Sequence, residues 1–197
     1  MNTFPDYRTA TGAAYSLLAE MNEFALSTDV FGIIGRLKNC KLFTYGQAEA
    51  LGYYSRQFLL CQSEHGFTLV RKSDNARIIL YNETKPLATI RFTLAHEIGH
   101  AVLGHSDEKC PWQERESNCF ARNLLCPIPV VDALQVETER DYILLFNVSE
   151  SMASVAKNYN SSDRYYIDSE LYNVILEKLN AYLHGYERVS EYYWNLA

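Results

Sequence analysis

The spacing of apolar positions changes along the first half of the chain, and each change predicts a different element. Near residues 7–23 apolar side chains recur every three to four positions, which predicts an amphipathic helix. A shorter helix is expected over residues 30–37. Farther on, the β-rich runs 67–70 and 78–81 flank a cluster of turn formers at 72–75. These two runs predict an antiparallel hairpin.

The second half of the chain has the apolar spacing of helices throughout. A helix is expected over residues 86–103, with Gly104 where a left-handed C-cap ends it. Another is expected over 113–126, ending before Pro127, and three more over 130–186. The pattern predicts an α+β fold that is mostly helical, with a small antiparallel sheet beside helix 86–103 and helices at the C-terminal end.

The net charge of the chain argues against two classes of partner. At pH 7 the formal charge is -6 and the sequence pI is about 5.4. A molecule of this charge is repelled by phosphate backbones and by anionic membrane surfaces. We therefore expect no direct binding to nucleic acid and none to membranes.

Two further features of the sequence indicate a cytoplasmic protein. Its N-terminal residues do not form a basic region followed by an apolar run, and no stretch approaches the roughly 18 apolar residues of a membrane helix. The five cysteines are odd in number, and no two form a Cys-x-x-Cys pair. This argues against a disulfide framework and against a thiolate zinc site.

The candidate chemistry lies in the run His96-Glu97-Ile98-Gly99-His100. On a helix, histidines four residues apart lie one turn above the other and can direct imidazole nitrogens at a single zinc ion. Glu97 lies beside such a metal and can accept a proton from a water molecule on it. The pattern therefore predicts His96 and His100 as metal ligands and Glu97 as the general base.

The surroundings of this motif are typical of a zincin, a zinc peptidase built around a His-Glu-x-x-His helix. The motif lies in an apolar helix and follows the hairpin, whose second strand could offer an edge to an extended peptide. We expect a minimal zincin-like peptidase domain over residues 1–130 and a helical C-terminal region over 131–197 packed on it. The two could equally form one continuous domain.

Catalytic zinc usually has three protein ligands, so a third has to be found. A histidine at position 106, as in metzincins, is absent, and His105 follows Gly104, where a solvated helix-end residue is the simpler interpretation. Glu114 and Glu116 lie on the following helix, and only one of them can face the metal. We choose Glu116, because its helical neighbours bury that face, and keep Glu114 as the rival.

Two segments give the chain a family resemblance. The run Arg-Phe-Thr-Leu-Ala-His-Glu-Ile-Gly-His covers 91–100, and Glu-Ser-Asn-Cys-Phe-Ala-Arg-Asn-Leu-Leu-Cys-Pro covers 116–127. Together they resemble the ImmA/IrrE metallopeptidases, in which the glutamate leading the second motif is taken as the third zinc ligand. That glutamate falls on Glu116. Ser117 and Cys126 replace the usual alanine and methionine, which are mild changes of packing.

The resemblance also implies a biological role. Similar proteins are anti-repressors of mobile elements and stress regulators that cleave a helix-turn-helix transcriptional repressor, and the acidic charge suits a basic DNA-binding partner. The alternative is a metal-containing anti-repressor that binds and sequesters its partner without cutting it. Zn²⁺ is the expected cofactor, although imidazole and carboxylate ligands also accept Mn²⁺ or Fe²⁺.

Overall fold

The computed structural model describes residues 4–71, 73–105 and 110–194, with side chains up to residue 185. In this part of the chain the helices are α1 (Tyr7–Glu20), α2 (Val30–Arg36), α3 (Tyr45–Ala50), α4 (Arg56–Gln62), α5 (Leu87–Val102), α6 (Pro111–Leu125), α7 (Ile128–Ala133), α8 (Glu139–Phe146), α9 (Glu150–Asp163) and α10 (Ser169–Trp194). The strands are β1 (Cys40–Thr44), β2 (Gly66–Arg71) and β3 (Ala76–Tyr81). The predicted α+β, mostly helical fold is confirmed. Among the described helices, none has the length and apolarity that crossing a membrane requires.

The sheet differs from the predicted hairpin in having a third strand. The strand order is β1-β3-β2, with β1 parallel to β3 and β2 antiparallel to it. The sheet is therefore mixed, and β2, the first strand of the hairpin, lies at its outer edge. The expectation that the second strand offers an edge was wrong, because β1 already pairs with it. Ile79 and Leu80 of that central strand are both buried, which suits a strand covered on its two faces.

Proline and glycine set the bounds of the two helices that carry the chemistry. Pro86 is the N-cap of α5, and Gly104, with φ of 68°, follows its last turn. Pro111 occupies the first turn of α6, where its missing N–H costs nothing, and Pro127 follows the helix end. Both helices match their predicted bounds to within two residues. From residue 128 onward, however, the structure has α7 to α10 where three helices were expected, because α7 is a separate short element.

Two buried clusters hold these elements together. The larger takes apolar side chains from most helices and from both sides of residue 130, and its most deeply buried members include Tyr15, Leu94, Phe120, Phe146 and Leu179. The smaller consists of Tyr45, Ala48, Leu59 and Leu80 and packs α3 and α4 on the sheet. The core thus runs across the boundary that the sequence suggested between two regions.

Arg91 fixes the orientation of α5 in this core. Its guanidinium is buried and donates to three backbone carbonyls: Thr28 at 2.8 Å, Asn147 at 3.2 Å and Phe146 at 3.3 Å. Two of these carbonyls lie at the C-terminal end of α8, where the helix dipole favours a cation. The arginine that leads the first motif therefore holds the helix in place rather than taking part in its chemistry.

Candidate metal centre

Helix α5 brings the two motif histidines together as their spacing predicts. His96 and His100 lie one turn apart, and their Nε2 atoms are 3.0 Å from each other. Both side chains are 15 % exposed, and both line a cleft of about 1050 Å³. Two imidazole nitrogens directed at one point from adjacent turns are a ready pair of metal ligands.

The third group at this point is Glu114, which lies on the first turn of α6. One carboxylate oxygen is 3.3 Å from His96 Nε2 and the other is 3.5 Å from His100 Nε2. His96, His100 and Glu114 therefore form a group whose ligand atoms all lie within 4.8 Å of one another. We call these three residues the cleft cluster.

Glu116, the residue chosen from the sequence, is directed elsewhere. Its carboxylate lies 2.9 Å from His105 Nε2 and is 16 % exposed, whereas the Glu114 side chain is 56 % exposed. The sequence argument favoured the more buried face of α6, but a catalytic metal centre opens onto a cleft, and the carboxylate that reaches it is the more exposed one. We therefore replace Glu116 with Glu114 as the candidate third ligand.

The geometry of the cleft cluster suits a small tetrahedral ion. Zinc lies about 2.0–2.1 Å from imidazole nitrogen and about the same distance from carboxylate oxygen, so neighbouring ligand atoms of a tetrahedral site are about 3.3 Å apart. The separations of 3.0, 3.3 and 3.5 Å observed here bracket that value. Two imidazoles and one carboxylate are also a donor set that zinc accepts, with a fourth position left for water or substrate.

Hydrogen bonding prepares His96 for this role. Its Nδ1 lies 2.9 Å from the Oδ1 atom of Asn118, one turn beyond Glu114 on α6. Because the amide oxygen only accepts, the hydrogen of His96 lies on Nδ1, and the lone pair of Nε2 faces the cluster. Asn118 lies in the second family motif, but its partner could not be read from the sequence.

The three residues of the cleft cluster shift one another's pKa values. Burial lowers the pKa of His96, but the hydrogen bond to Glu114 and the Glu97 charge outweigh it and raise that pKa. Burial and the neighbouring His96 lower the pKa of His100 to about 4. A protonated His96 donates to Glu114 through Nε2, and this hydrogen bond lowers the pKa of Glu114. Near neutral pH the His100 imidazole is therefore uncharged, which leaves it able to act as a metal ligand.

Glu97 follows His96 on α5 and lies beside the cleft cluster. It is 8 % exposed, and burial raises its pKa, although the Thr68 hydroxyl donates to Oε2 at 2.6 Å and acts in the opposite direction. A carboxylate with a raised pKa accepts protons more readily near neutral pH. Thr68 belongs to β2, 29 residues earlier, and no pattern in the sequence predicts its contact with Glu97.

Gly99, the glycine of the motif, allows α5 and α6 to approach closely. A Cβ at this position would meet Phe120 Cδ1 at 3.1 Å and Ser117 Cα at 3.2 Å. These contacts are tighter than those that ordinary Cβ atoms make. Because the two helices are this close, Glu114 of α6 lies within reach of the α5 histidines.

His105, which the sequence suggested to be a solvated helix-end residue, is buried at 8 % exposure and lies near the cleft cluster without joining it. Its Nδ1 is 3.0 Å from Nδ1 of His100, on the side of that ring opposite to the cluster, and its Nε2 contacts Glu116. Both ring nitrogens therefore already have partners in the protein.

Side chains from the sheet, from α5 and α6, and from α9 line the cleft. The residues that line it include Thr68 of β2 and Phe92 of α5. The α9 residues that line it include Met152, Val155 and Tyr159, which lie on one stripe of the helix. Val155 and Tyr159 are 41 % and 50 % exposed, so α9 contributes an apolar wall to the cleft.

Comparison with known proteins adds one finding. A family model described as Peptidase_M78, IrrE N-terminal-like domain, matches residues 61–158. The matched part begins within α4, ends within α9 and includes the whole cleft cluster with Glu97. No curated protein matches the chain.

Proposed function

This chain belongs to the ImmA/IrrE family of metallopeptidase domains, and on that premise we propose that it is a zinc-dependent endopeptidase. The proposed ligands are His96, His100 and Glu114. One observation carries this assignment: two imidazole nitrogens and a carboxylate converge at separations of 3.0–3.5 Å beside a buried glutamate. Bound zinc would polarise the scissile carbonyl and lower the pKa of water.

Glu97 is the proposed general base. Its carboxylate takes a proton from the attacking water and passes that proton to the nitrogen of the leaving amine, so the group returns to its starting state after each turnover. The raised pKa favours the acceptance of the proton, and the hydrogen bond from Thr68 holds one carboxylate oxygen in place. The second oxygen is then the one that exchanges the proton.

An extended peptide is the substrate form that this cleft accommodates. The outer edge of β2 carries no strand in the described part of the chain, and four of its residues, Gly66, Phe67, Thr68 and Val70, line the cleft. A peptide that pairs with this edge gains backbone hydrogen bonds and directs alternate side chains toward the α9 wall. We therefore propose that an apolar side chain of the substrate packs against Met152 and Val155.

We further propose that the physiological substrate is a helix-turn-helix repressor, so that cleavage releases transcription. The net charge of -6 favours encounter with a basic DNA-binding domain and disfavours DNA itself. Incubation of the enzyme with purified repressors of the same genome, followed by intact-mass measurement, tests this point. Repressors that remain uncut while unrelated unfolded proteins are cleaved would contradict it.

The peptidase activity is tested with the purified protein and its Glu97→Gln variant. We expect close to one equivalent of zinc in both by elemental mass spectrometry. On a proteome-derived peptide library, the wild type should generate new termini and the variant should lose about 10²–10⁴-fold in rate, because only the proton acceptor is removed. If wild type and variant had equal effects on the repressor, sequestration without cleavage would replace the peptidase proposal.

The third ligand is tested by making the same substitution at two positions two residues apart. Glu114→Gln replaces an anionic ligand with a neutral amide, and we expect zinc affinity to fall by more than 100-fold, beyond the usual effect of residues outside the ligand set. Glu116→Gln keeps an oxygen that accepts from His105, so it should change affinity little. Competition with a chromogenic chelator measures both, and the reverse order would restore Glu116 as the ligand.

A further inference from the structure

The Nδ1 side of the His100 ring, opposite to the cleft cluster, contacts a chain of two hydrogen-bonded residues, His105 and Glu116. Neither of them is a proposed metal ligand. Nδ1 of His100 is 3.0 Å from Nδ1 of His105, and Nε2 of His105 is 2.9 Å from Oε2 of Glu116. The side chains of His105 and Glu116 are only 7 % and 16 % exposed. Gly104, with its positive φ, turns the chain at the end of α5, and the His105 N–H donates to the His100 carbonyl at 3.0 Å.

The carboxylate end of this chain determines where the hydrogens lie. An ionised carboxylate only accepts, so Nε2 of His105 carries the hydrogen that faces Glu116. Nδ1 of a neutral His105 is then an acceptor, and the hydrogen between the two rings belongs to Nδ1 of His100. That arrangement leaves the lone pair of His100 Nε2 facing the cleft cluster. The opposite tautomer of His100 would place an N–H where a metal ligand is needed.

Further hydrogen bonds hold His105 and Glu116 in place. The second oxygen of Glu116 accepts the backbone N–H of Asp6 at 2.5 Å, just before α1 begins. The His105 carbonyl accepts from the Arg77 guanidinium on β3 at 3.0 Å, and the Ser117 hydroxyl lies 3.2 Å from Nδ1 of His105. His105 is thus contacted from α5, α6 and β3, and Glu116 from the segment before α1.

We propose that His105 and Glu116 are positioning residues that hold His100 in the metal-binding tautomer and orientation. This inference rests on the proposed function and adds to it the roles of two residues outside the ligand set. It accounts for the low exposure of the Glu116 side chain, 16 %, although that side chain is not directed at the cleft cluster. Among the described residues Nδ1 of His96 contacts Asn118, whereas Nδ1 of His100 contacts an imidazole that in turn contacts a carboxylate bound to the Asp6 N–H.

Two substitutions of His105 separate hydrogen bonding from packing. His105→Phe keeps a ring of similar volume but removes the acceptor, and we expect zinc affinity to fall by about 10–100-fold. His105→Asn places an amide oxygen near the position of Nδ1, and most of the affinity should return. His65→Phe is the matched control, because His65 lines the same cleft outside the hydrogen-bonded chain and should leave zinc affinity unchanged. Competition with a chromogenic chelator gives each affinity.

A second measurement on metal-free protein reports the tautomer directly. In ¹⁵N-labelled wild type we expect the His100 ring to carry its hydrogen on Nδ1, and in His105→Phe that form should no longer predominate. Thermal unfolding of the metal-free variants shows whether each is folded. If His105→Phe fails to fold, Glu116→Ala and Glu116→Gln replace it, and only the alanine variant should weaken zinc binding.

The outcomes distinguish this inference from the proposed function. If the wild type binds no zinc, the metallopeptidase proposal fails, and the positioning role fails with it. If the wild type binds zinc and folded His105→Phe binds it equally well with an unchanged tautomer, only the positioning role is overturned. Equal losses in His105→Phe and His105→Asn would also overturn it, because the hydrogen bond would then not be the cause.

Discussion

Helix α6 carries two groups of polar side chains about two turns apart. One group lines the cleft, and the other is buried and fully hydrogen-bonded within the protein. Near its start Glu114 belongs to the cleft cluster, where ligand atoms converge on one point. Near its end Arg122 and Asn123 meet Asp163 of α9, and we call these three residues the buried cluster. Arg122 binds both oxygens of Asp163, at 2.6 and 2.9 Å, and Asn123 donates to one of them at 3.0 Å.

The buried cluster is closed, in the sense that its polar groups are paired with one another, whereas the cleft cluster is open because its ligand atoms converge on a point in the cleft. The Asn123 amide also donates to the Cys119 carbonyl at 3.0 Å, and the Arg122 guanidinium lies 4.4 Å from the centre of the Tyr159 ring. Within the described residues no buried side-chain nitrogen or oxygen lacks a partner. In the cleft cluster, by contrast, the histidine nitrogens face each other and a carboxylate across a gap that a cation fits. Closed polar groups stabilise a fold, and open ones are available for chemistry.

The strongest test of this comparison is to open the buried cluster. Asp163→Ala leaves the buried Arg122 without its counterion, and we expect the free energy of unfolding to fall by about 3–5 kcal/mol. Zinc content per folded molecule should stay the same. Glu114→Ala in metal-free protein should change stability by less than about 1 kcal/mol. Denaturant titration measures both. Equal losses of unfolding free energy in the two variants would show that the buried cluster is no more important for stability than the cleft cluster.

A smaller effect is expected where α5 and α6 touch beside the cleft cluster. Gly99→Ala adds a Cβ against Phe120 and Ser117, and we expect a cost of about 1–3 kcal/mol together with weaker zinc binding. Gly12→Ala in α1 is the matched control. Its Cβ would meet nothing within 4 Å, so it should stabilise by about 0.5–1 kcal/mol. The same sign of stability change at both positions would contradict the close-packing argument.

The smallest expected effect concerns the chemistry of the cleft and not its stability. Glu97 must be ionised to accept a proton, so activity should rise with pH through its raised pKa. The Thr68 hydrogen bond lowers that pKa, and Thr68→Val should therefore move the acidic limb of the rate profile toward higher pH. Thr89→Val, in the same cleft, should leave the limb in place. An unmoved limb in Thr68→Val would mean that another group controls it.

The sequence was most informative where spacing alone determines contact. Helices α5 and α6 followed from apolar periodicity with proline and glycine at their ends. The pairing of His96 with His100 needed only the fact that four residues make about one helical turn. Such contacts lie within one element, so no knowledge of packing is required.

Contacts between elements could not be predicted in the same way. Strand β1 was missed because five residues are too few for a clear alternation, and without it the hairpin appeared to have the wrong free edge. The choice between Glu114 and Glu116 depends on how α6 is rotated against α5, which the Gly99 contact helps to fix. Thr68 reaches Glu97 only because the sheet lies beside α5.

Under the proposed function, the free edge of β2 would restrict which proteins can be cut. Six residues of strand, Gly66–Arg71, accept only a backbone that is already extended, about 20 Å of it. A helix in a folded target must therefore unwind before it can pair with this edge. The proposed cleavage would then depend on the local unfolding equilibrium of the target, and a stably folded protein with the same residues at the scissile bond would not be cut.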